Sequence, residues 1–563
     1  MDETGSAMNR RILAGISAAL PILFLGIFLL YPIARILALG LAPIVGRGGS
    51  GVMGLRKLLA DTGAGRLLLA SAGQAFLSTL LTLAVGLPAS YVFARFDFPA
   101  KAVLRALLAI PFVLPTVVVG SAFVALVGSG GLAERLAGVN IVRTLPAVLL
   151  AHVFYNVSIV VRIVGGSWAN LDPRLGESAR MLGAGRMRSF LRVTLRLLLP
   201  SLAASALLVF AFCFTSFGVI LVLGGPRIGT LETEIYRQAV YALNLPAAAL
   251  LSALQLLVAG LMMLAYSRLS ARAAVVLRLT PGSVTRRTPR GPGEWALVAL
   301  CGLGPTAGLM LPLAVLAAGS VTTPTGISLQ YWTSLFRNVR NSIFYVSPVA
   351  AAMNSLAFSG LAVVLSLTLG IPAAYLVTRS RKGTLLTGAA ELLFLLPLGT
   401  SAVTLGFGYI ISLGSPPLDL RGSVLLIPIA HALVALPLVV RSLVGPLRSI
   451  EPGLRESAAL LGADPARVRL RIDLPILRRA FLAAAAFAFT VSLGEFAATA
   501  LLTRPELATI PVVIYGFLTQ PGDLNRGQAM AMSVVLMAAC GLGVAAIERL
   551  RPSGASDGAS EVF

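Results

Sequence analysis

The sequence predicts an all-α polytopic membrane protein of about twelve transmembrane helices, and three observations carry that prediction. Of 563 residues, 57% are hydrophobic and only 12% are charged, with a mean hydropathy of +0.90. Soluble domains hold about a quarter charged residues. The apolar residues are gathered into runs long enough to cross about 30 Å of hydrocarbon as helices, whose internal hydrogen bonds satisfy the backbone. The short alternating strands of a membrane β-barrel are not the pattern here.

Taken in order, the runs fall near 12–34, 67–94, 102–127, 143–166, 198–223, 240–266, 294–318, 349–378, 386–412, 423–445, 479–502 and 526–547. The first follows Arg10 and Arg11 but is too long for a secretory leader and lacks a small-residue cleavage site, so it reads as a retained span. With twelve spans, one side collects Arg10 and Arg11, Arg95 to Arg105, six arginines from Arg174 to Arg196, Arg268 to Arg290, Arg379 to Lys382, Arg448 to Arg479, and Arg549 with Arg551. That side is expected to be cytoplasmic, and both termini with it. Arg56, Lys57 and Arg66 fall on the other side. The formal charge of +23 is therefore a topology signal. A nucleic-acid partner is not expected, because such proteins gather their arginines on one basic face. Cys213, Cys301 and Cys540 lie in apolar runs without CxxC spacing, so neither a disulfide framework nor a metal site is expected.

The chain repeats itself. ESARMLGAG begins at Glu177 and ESAALLGAD at Glu456, 279 residues later. The same offset aligns His152 with His431, Phe217 with Phe496, Thr230 with Thr509 and Tyr236 with Tyr515. Upstream, GLPASY at Gly86–Tyr91 meets GIPAAY at Gly370–Tyr375 at an offset of 284. Two parallel six-helix halves are expected, 1–268 and 293–549, joined by a cytoplasmic linker at 269–292 and followed by a tail at 550–563. Halves of equal orientation suit a pathway along an axis normal to the membrane.

The repeated phrase is too charged to span. Asp172 can cap a short helix, Pro173 fits its first turn and Glu177 lies near its positive end. Gly183 then allows a turn or a close approach. The second copy runs from Glu451 and Pro452 to Gly462 and Asp464. A single copy would also suit a basic amphipathic helix on the lipid surface. Two copies in one register favour a symmetric partner with two docking sockets.

Glu177-Ser178-Ala179 followed by Gly183, and Glu456-Ser457-Ala458 followed by Gly462 and Leu474-Pro475, resemble the EAA loop of ABC-transporter inner-membrane permeases. Arg196 stands where that family usually has its proline, with Pro200 four residues later. The resemblance extends over nearly the whole chain and is greatest to fused permeases for thiamine and ferric iron. CFTSFGVILVLGGP at Cys213–Pro226 with Thr230-Leu231-Glu232 looks most like the thiamine type, whereas SLGEFAATALL at Ser492–Leu502 is shared with iron and polyamine relatives. It implies a permease for thiamine, or alternatively ferric iron, in a bacterial or archaeal inner membrane, with one fused chain per complex. It also implies an ABC ATPase homodimer docked on coupling helices near 172–185 and 451–464, and a periplasmic or lipid-anchored binding protein at the outer mouth. The chain has no GxxxxGK[ST] loop, so ATP and Mg belong to the partner and the chain is not itself an enzyme.

An ion-coupled secondary transporter is the reading of a different class. It would need intramembrane acids, and Glu391 and Glu495 are the candidates within apolar runs. Candidate pathway residues are His152, Tyr155, Asn156, Ser216, Phe217, His431, Glu495 and Phe496, polar or aromatic groups inside spans or at equivalent points of the repeat. The histidines also suit helix packing. Glu495 suits either a cationic substrate beside aromatic faces or a structural role near the outer end.

Overall fold

The computed structural model describes residues 19–45, 56, 59–275, 286–338, 346–379, 393–414, 416 and 418–550. The start of the first expected span, residues 276–285 of the linker at 269–292, Glu391 and nearly all of the tail lie outside these residues. The described chain is helical apart from a two-stranded hairpin, Thr322–Thr323 with Gly326–Ile327. Eleven of its helices are long and apolar enough to cross a membrane, or twelve when a bent pair counts as one span. It is an all-α polytopic membrane protein.

The N-terminal series runs α1 (Ala19–Ala42), α2 (Ala64–Arg95), α3 (Lys101–Val113), α4 (Thr116–Val127), α5 (Leu145–Ala169), α6 (Pro173–Met181), α7 (Arg186–Phe214), α8 (Gly218–Leu223), α9 (Leu231–Tyr236) and α10 (Leu245–Val275). The C-terminal series runs α11 (Pro292–Gly319), α12 (Pro348–Arg379), α13 (Leu393–Gly399), α14 (Ala402–Ser412), α15 (Leu426–Ser449), α16 (Pro452–Leu460), α17 (Arg469–Leu493), α18 (Ala497–Leu502), α19 (Ile510–Thr519) and α20 (Asp523–Leu550). α2 and α12 are both 32 residues long.

Large apolar side chains face outward as well as inward, and small polar ones are buried among the helices. On α2, Ser71, Gln74, Ser78, Thr82 and Ser90 are buried, whereas Leu69, Phe76 and Leu80 are exposed. The first four recur at three- to four-residue spacing and Ser90 follows two turns on, one helical face, and small polar side chains let neighbouring helices approach closely. The repeated glycines serve the same contact. A Cβ at Gly86 would lie 2.7 Å from Val160, and one at Gly370 would lie 2.6 Å from Val439.

Four expected spans differ from what forms. The run at 102–127 is not one helix. Pro115 holds Leu114 extended (ψ 142°) and separates α3 from α4, as a proline does to the residue before it. The equivalent α13 and α14 meet at 104°, where the Ser401 hydroxyl accepts from the amides of Val403 and Thr404, an N-cap that starts a new helix. The runs at 198–223 and 479–502 end early, at Phe214 and Leu493, and begin early, at Arg186 and Arg469. Each passes through a π-turn, Phe190–Thr194 or Arg469–Asp473. Arg196 therefore leaves the helix start as Pro475 does.

The two series interlock. α1 packs on α10 and on α14 of the other series, while α11 packs on α20 and on α4. α4 further meets α19 and α20, and α14 meets α9 and α10. Each broken pair is thus enclosed by helices from the opposite series.

Candidate functional site

Two regions carry the residues singled out by the sequence. One is at the arginine-rich end of the bundle, the other part-way along it where the broken pairs meet.

At the arginine-rich end, α6 and α16 are nine-residue helices of the same form. Asp172 accepts from the amide of Arg174 at 2.9 Å and caps α6, while Glu451 occupies the cap position of α16 without a side-chain cap bond. Both helices end alike. The Gly183 amide reaches Arg180 O and the Ala184 amide reaches Ala179 O, each at 3.0 Å. The Gly462 amide reaches Ala459 O at 3.0 Å and the Ala463 amide reaches Ala458 O at 2.9 Å. This is the Schellman pattern, which places a left-handed residue after the helix. Gly183 has φ +85° and Gly462 φ +78°, so glycine is required by the backbone. A Cβ would meet nothing within 4 Å at either position, and a close approach within this chain is not the reason.

Glu177, Ser178, Glu456 and Ser457 are exposed, and Ala179 and Ala458 are half-buried. Just before the glycines, Met181 and Leu182 are 88% and 89% exposed, and Leu460 and Leu461 are each 89% exposed. The anchorage beneath differs. The Ser189 hydroxyl donates to Gly176 O at 3.0 Å under α6. Under α16, Arg455 pairs with the buried Asp473 at 3.0 Å, and Tyr375 donates to the other Asp473 oxygen at 2.9 Å. Pro475 is exposed at the start of the straight part of α17.

Part-way along the bundle, four rings form a ladder across the two series. Tyr236 lies 5.2 Å from Phe217, Phe217 stacks on Phe496 at 5.7 Å and 20°, and Phe496 lies 5.4 Å from Tyr515. Phe217 and Phe496 are buried. Gly218 packs on Thr116 and the Phe496 ring, and Gly494 packs on Pro115, so the ladder sits at the first break. Tyr155 donates to Leu114 O at 3.1 Å, tying α5 to the first break. On the side away from the arginine-rich end, a cavity of about 650 Å³ opens between Val124–Arg143 and Tyr515–Arg526 and reaches Tyr515.

The remaining candidates brace this region. His152 is buried and bonds Ser78 and Ser216, each at 2.9 Å. His431 is buried and bonds Ser492 at 2.8 Å and Thr499 at 2.7 Å. Asn156 donates to His152 O at 2.8 Å. Glu495 accepts from the amide of Ala498 at 3.0 Å, at the positive end of α18. Beside Tyr236, burial alone would raise the Glu234 carboxyl, but hydrogen bonds from Arg237 and Gln238 outweigh it and hold the group below its ordinary value.

One group was missed. Glu232 is fully buried, accepts from Gln255, and accepts from Ser401 at 2.8 Å. It therefore bonds the second break from the opposite series. Its signal was an acid aligned with Pro511 in the repeat, in a stretch that does not span. Tyr236 and Tyr515 were aligned but not assigned to the site. Among the described residues no group of three or more His, Cys, Asp or Glu could hold a metal ion.

Residues 86–275 match the family model of the binding-protein-dependent transport system inner membrane component. The chain is 28% identical over 492 residues to a thiamine transport system permease protein of Escherichia coli, covering 85% of this chain and 87% of that one. It is 27% identical over 479 residues to the protein of that name from Brucella abortus, covering 83% and 84%. A probable ABC transporter permease protein of Sinorhizobium fredii is 26% identical over 496 residues, covering 84% and 85%. The chain is thus related to ABC permeases over most of its length.

Proposed function

We propose that this chain is the whole transmembrane part of a binding-protein-dependent ABC importer for thiamine, built from two parallel six-span halves, 1–268 and 293–549. The observation that carries the reading is the pair of α6 and α16, which present matched apolar ends on the arginine-rich side. By the positive-inside rule that side is cytoplasmic, with both termini on it. An ATPase homodimer binds ATP and Mg and takes Met181-Leu182 in one subunit and Leu460-Leu461 in the other. Glu177, Ser178 and Ala179, and their counterparts Glu456, Ser457 and Ala458, form the docking helices, which Gly183 and Gly462 terminate. Pro475 starts the span that follows the second.

Closure of the ATPase draws α6 and α16 together. α7 and α17 carry that motion to the ladder, because Phe217 and Phe496 immediately follow them. In the conformation described here the stacked rings close the route between the halves. Parting them opens it toward the 650 Å³ cavity, where a periplasmic or lipid-anchored binding protein delivers substrate. The faces of Phe217 and Phe496 suit a cationic thiazolium, with Glu495 as an adjoining carboxylate. His152, Tyr155, Asn156, Ser216 and His431 hold the walls. Thiamine is favoured by the names of the relatives and by the Cys213–Pro226 stretch.

The test is ATP-dependent uptake into liposomes holding the chain with its ATPase and binding protein, using labelled thiamine beside ferric iron. Thiamine uptake that needs both partners supports the reading. Iron uptake would keep the architecture and remove the substrate. Uptake driven by an ion gradient without ATP would overturn the mechanism.

A further inference from the structure

The two series are filled differently where their spans meet the arginine-rich end. In the C-terminal series this place is closed by side chains. Tyr375 donates to Asp473, Arg455 pairs with Asp473, and the Arg469 guanidinium lies 6.0 Å from the centre of the Tyr375 ring. The corresponding N-terminal residues are Tyr91, Thr194, Gly176 and Phe190. They carry neither the acid nor the two cations, so the latch cannot form.

What stands there instead is a half-open groove of about 440 Å³ between α2, α5, α7 and α11, lined by Leu87, Tyr91, Trp168, Phe190, Leu198 and Leu297 among other apolar residues. Its wall is aromatic: Tyr91 lies 5.2 Å from Trp168, and Trp168 stacks on Phe190 at 6.1 Å. Tryptophan and tyrosine collect at the level of lipid headgroups, which places the groove at the membrane boundary.

Arginines stand at its level. Arg186 lies one turn before Phe190 on the same side of α7 and is exposed, and the exposed Arg188 and Arg192 project from the other side of that helix. From Arg186 to Arg196 there are four arginines and no acid. Across the groove, Arg287 is engaged with Glu294, one turn from Leu297, and adds little free charge. An apolar slot beneath a row of arginines has the form of a site for one acyl chain below one anionic headgroup.

We propose that this groove binds an anionic phospholipid, an acyl chain lying against Trp168 and Phe190, the headgroup phosphate held by Arg186 and drawn to this level by the charge of Arg188 and Arg192. The lipid takes the place that the Arg455–Asp473–Tyr375 latch takes in the other series. This inference needs only a membrane location and stands apart from the choice of substrate.

Trp168 is a reporter built into the wall. The full chain with Trp295→Phe and Trp332→Phe, which keeps Trp168 as the one tryptophan, is reconstituted in phosphatidylcholine vesicles with graded acyl-brominated phosphatidylglycerol or acyl-brominated phosphatidylcholine. Quenching of Trp168 is expected at a mole fraction of the anionic lipid lower by at least about five-fold, the effect of one arginine near a charged surface. The triple change Arg186→Gln, Arg188→Gln, Arg192→Gln is expected to remove the preference while quenching by brominated phosphatidylcholine persists. The control Arg467→Gln with Arg471→Gln, at the matching end of the other series, should leave the preference unchanged. Equal quenching by the two lipids in the parent, a preference that survives the triple change, or an equal loss in the control would each overturn the site.

Discussion

Substituting alanine for Gly183 or Gly462 separates two reasons for a glycine that the sequence leaves joined. A Cβ at either position has open space, with nothing within 4 Å, so a methyl group causes no clash within this chain. The cost lies in the backbone, since φ is +85° and +78°. Left-handed geometry costs an ordinary residue about 1–2 kcal/mol. A shift of that size changes a conformational equilibrium by about 5–30-fold. Since α6 and α16 protrude, the loss falls on their last turn and on the presentation of Met181-Leu182 and Leu460-Leu461, not on the bundle. We expect an unchanged thermal midpoint for the chain and an affinity for its ATPase weakened about 5–30-fold per site, with the two sites additive. Asparagine tolerates left-handed geometry, so Gly→Asn should retain most of the affinity, while Trp at both positions should abolish assembly. Titration of the labelled ATPase onto the purified chain in nanodiscs measures this. Equal loss with alanine and asparagine would refute the backbone argument. Full assembly and transport with Trp at both positions would refute docking through these turns.

Other substitutions probe the breaks and the latch. Glu232→Ala removes the acceptor for buried donors of Ser401 and Gln255, at about 1–3 kcal/mol for each stranded group; thermal unfolding should fall clearly, whereas Glu232→Gln, which keeps a carbonyl acceptor, should fall little. Phe217→Ala with Phe496→Ala removes the stacked pair, worth about 0.5–1.5 kcal/mol beyond its burial, and should raise ATP hydrolysis without substrate; hydrolysis as tightly substrate-dependent as in the parent would deny the rings a gating role. Asp473→Ala strands Arg455 and Tyr375 and should weaken the response of transport to ATPase docking more than the matching change Thr194→Ala, read as ATP hydrolysed per substrate moved. Glu495→Gln should lower uptake and substrate-stimulated ATP hydrolysis if the carboxylate meets a cation; unchanged values in a normally assembled complex would leave it only as the cap of α18.

The long spans and the repeat were legible because hydrophobic run length and identical short phrases are local properties of the chain. The helix of the repeated phrase was legible for the same reason: Asp172, Pro173 and Gly183 are start and stop signals whose meaning needs no tertiary contact. The break at Pro115 was harder, since a proline inside an apolar run either kinks or divides a helix, and only the extended Leu114 decides. Ser401 gave still less, because an N-cap serine in an apolar run looks like any small residue. Glu232 was hidden by its partners. Its bond to Ser401 spans 169 residues, and nothing local distinguishes an acid that crosses between series from one facing water. Glycine at 183 was read as allowing either a turn or a close approach, and its positive φ gives the turn; the two leave the same letter in a sequence.

Where the two series agree and where they part follows what each surface meets. The exposed ends of α6 and α16 match closely, Met181-Leu182 against Leu460-Leu461 with the same exposure and the same Schellman closure. A homodimeric partner presents two identical sockets, so equal ends lose nothing. At the breaks the copies diverge. Pro115 stands at the start of α4 where Ser401 stands at the start of α14, and in the repeat Glu232 faces Pro511 and Ser216 faces Glu495. His152 and His431 are held by different sets of hydroxyls. A small organic cation has no two-fold axis, and a route lined by equal groups would offer it two equivalent poses on opposite walls. Unequal walls select one. We propose that the carboxylates and prolines at the breaks set substrate discrimination and that the matched helices at the other end are where force enters. Exchanging the pair Pro115 and Ser401 between the copies should alter substrate preference with ATPase affinity unchanged, whereas exchanging Met181-Leu182 with Leu460-Leu461 should alter neither; a change in ATPase affinity from the first exchange would break this division of roles.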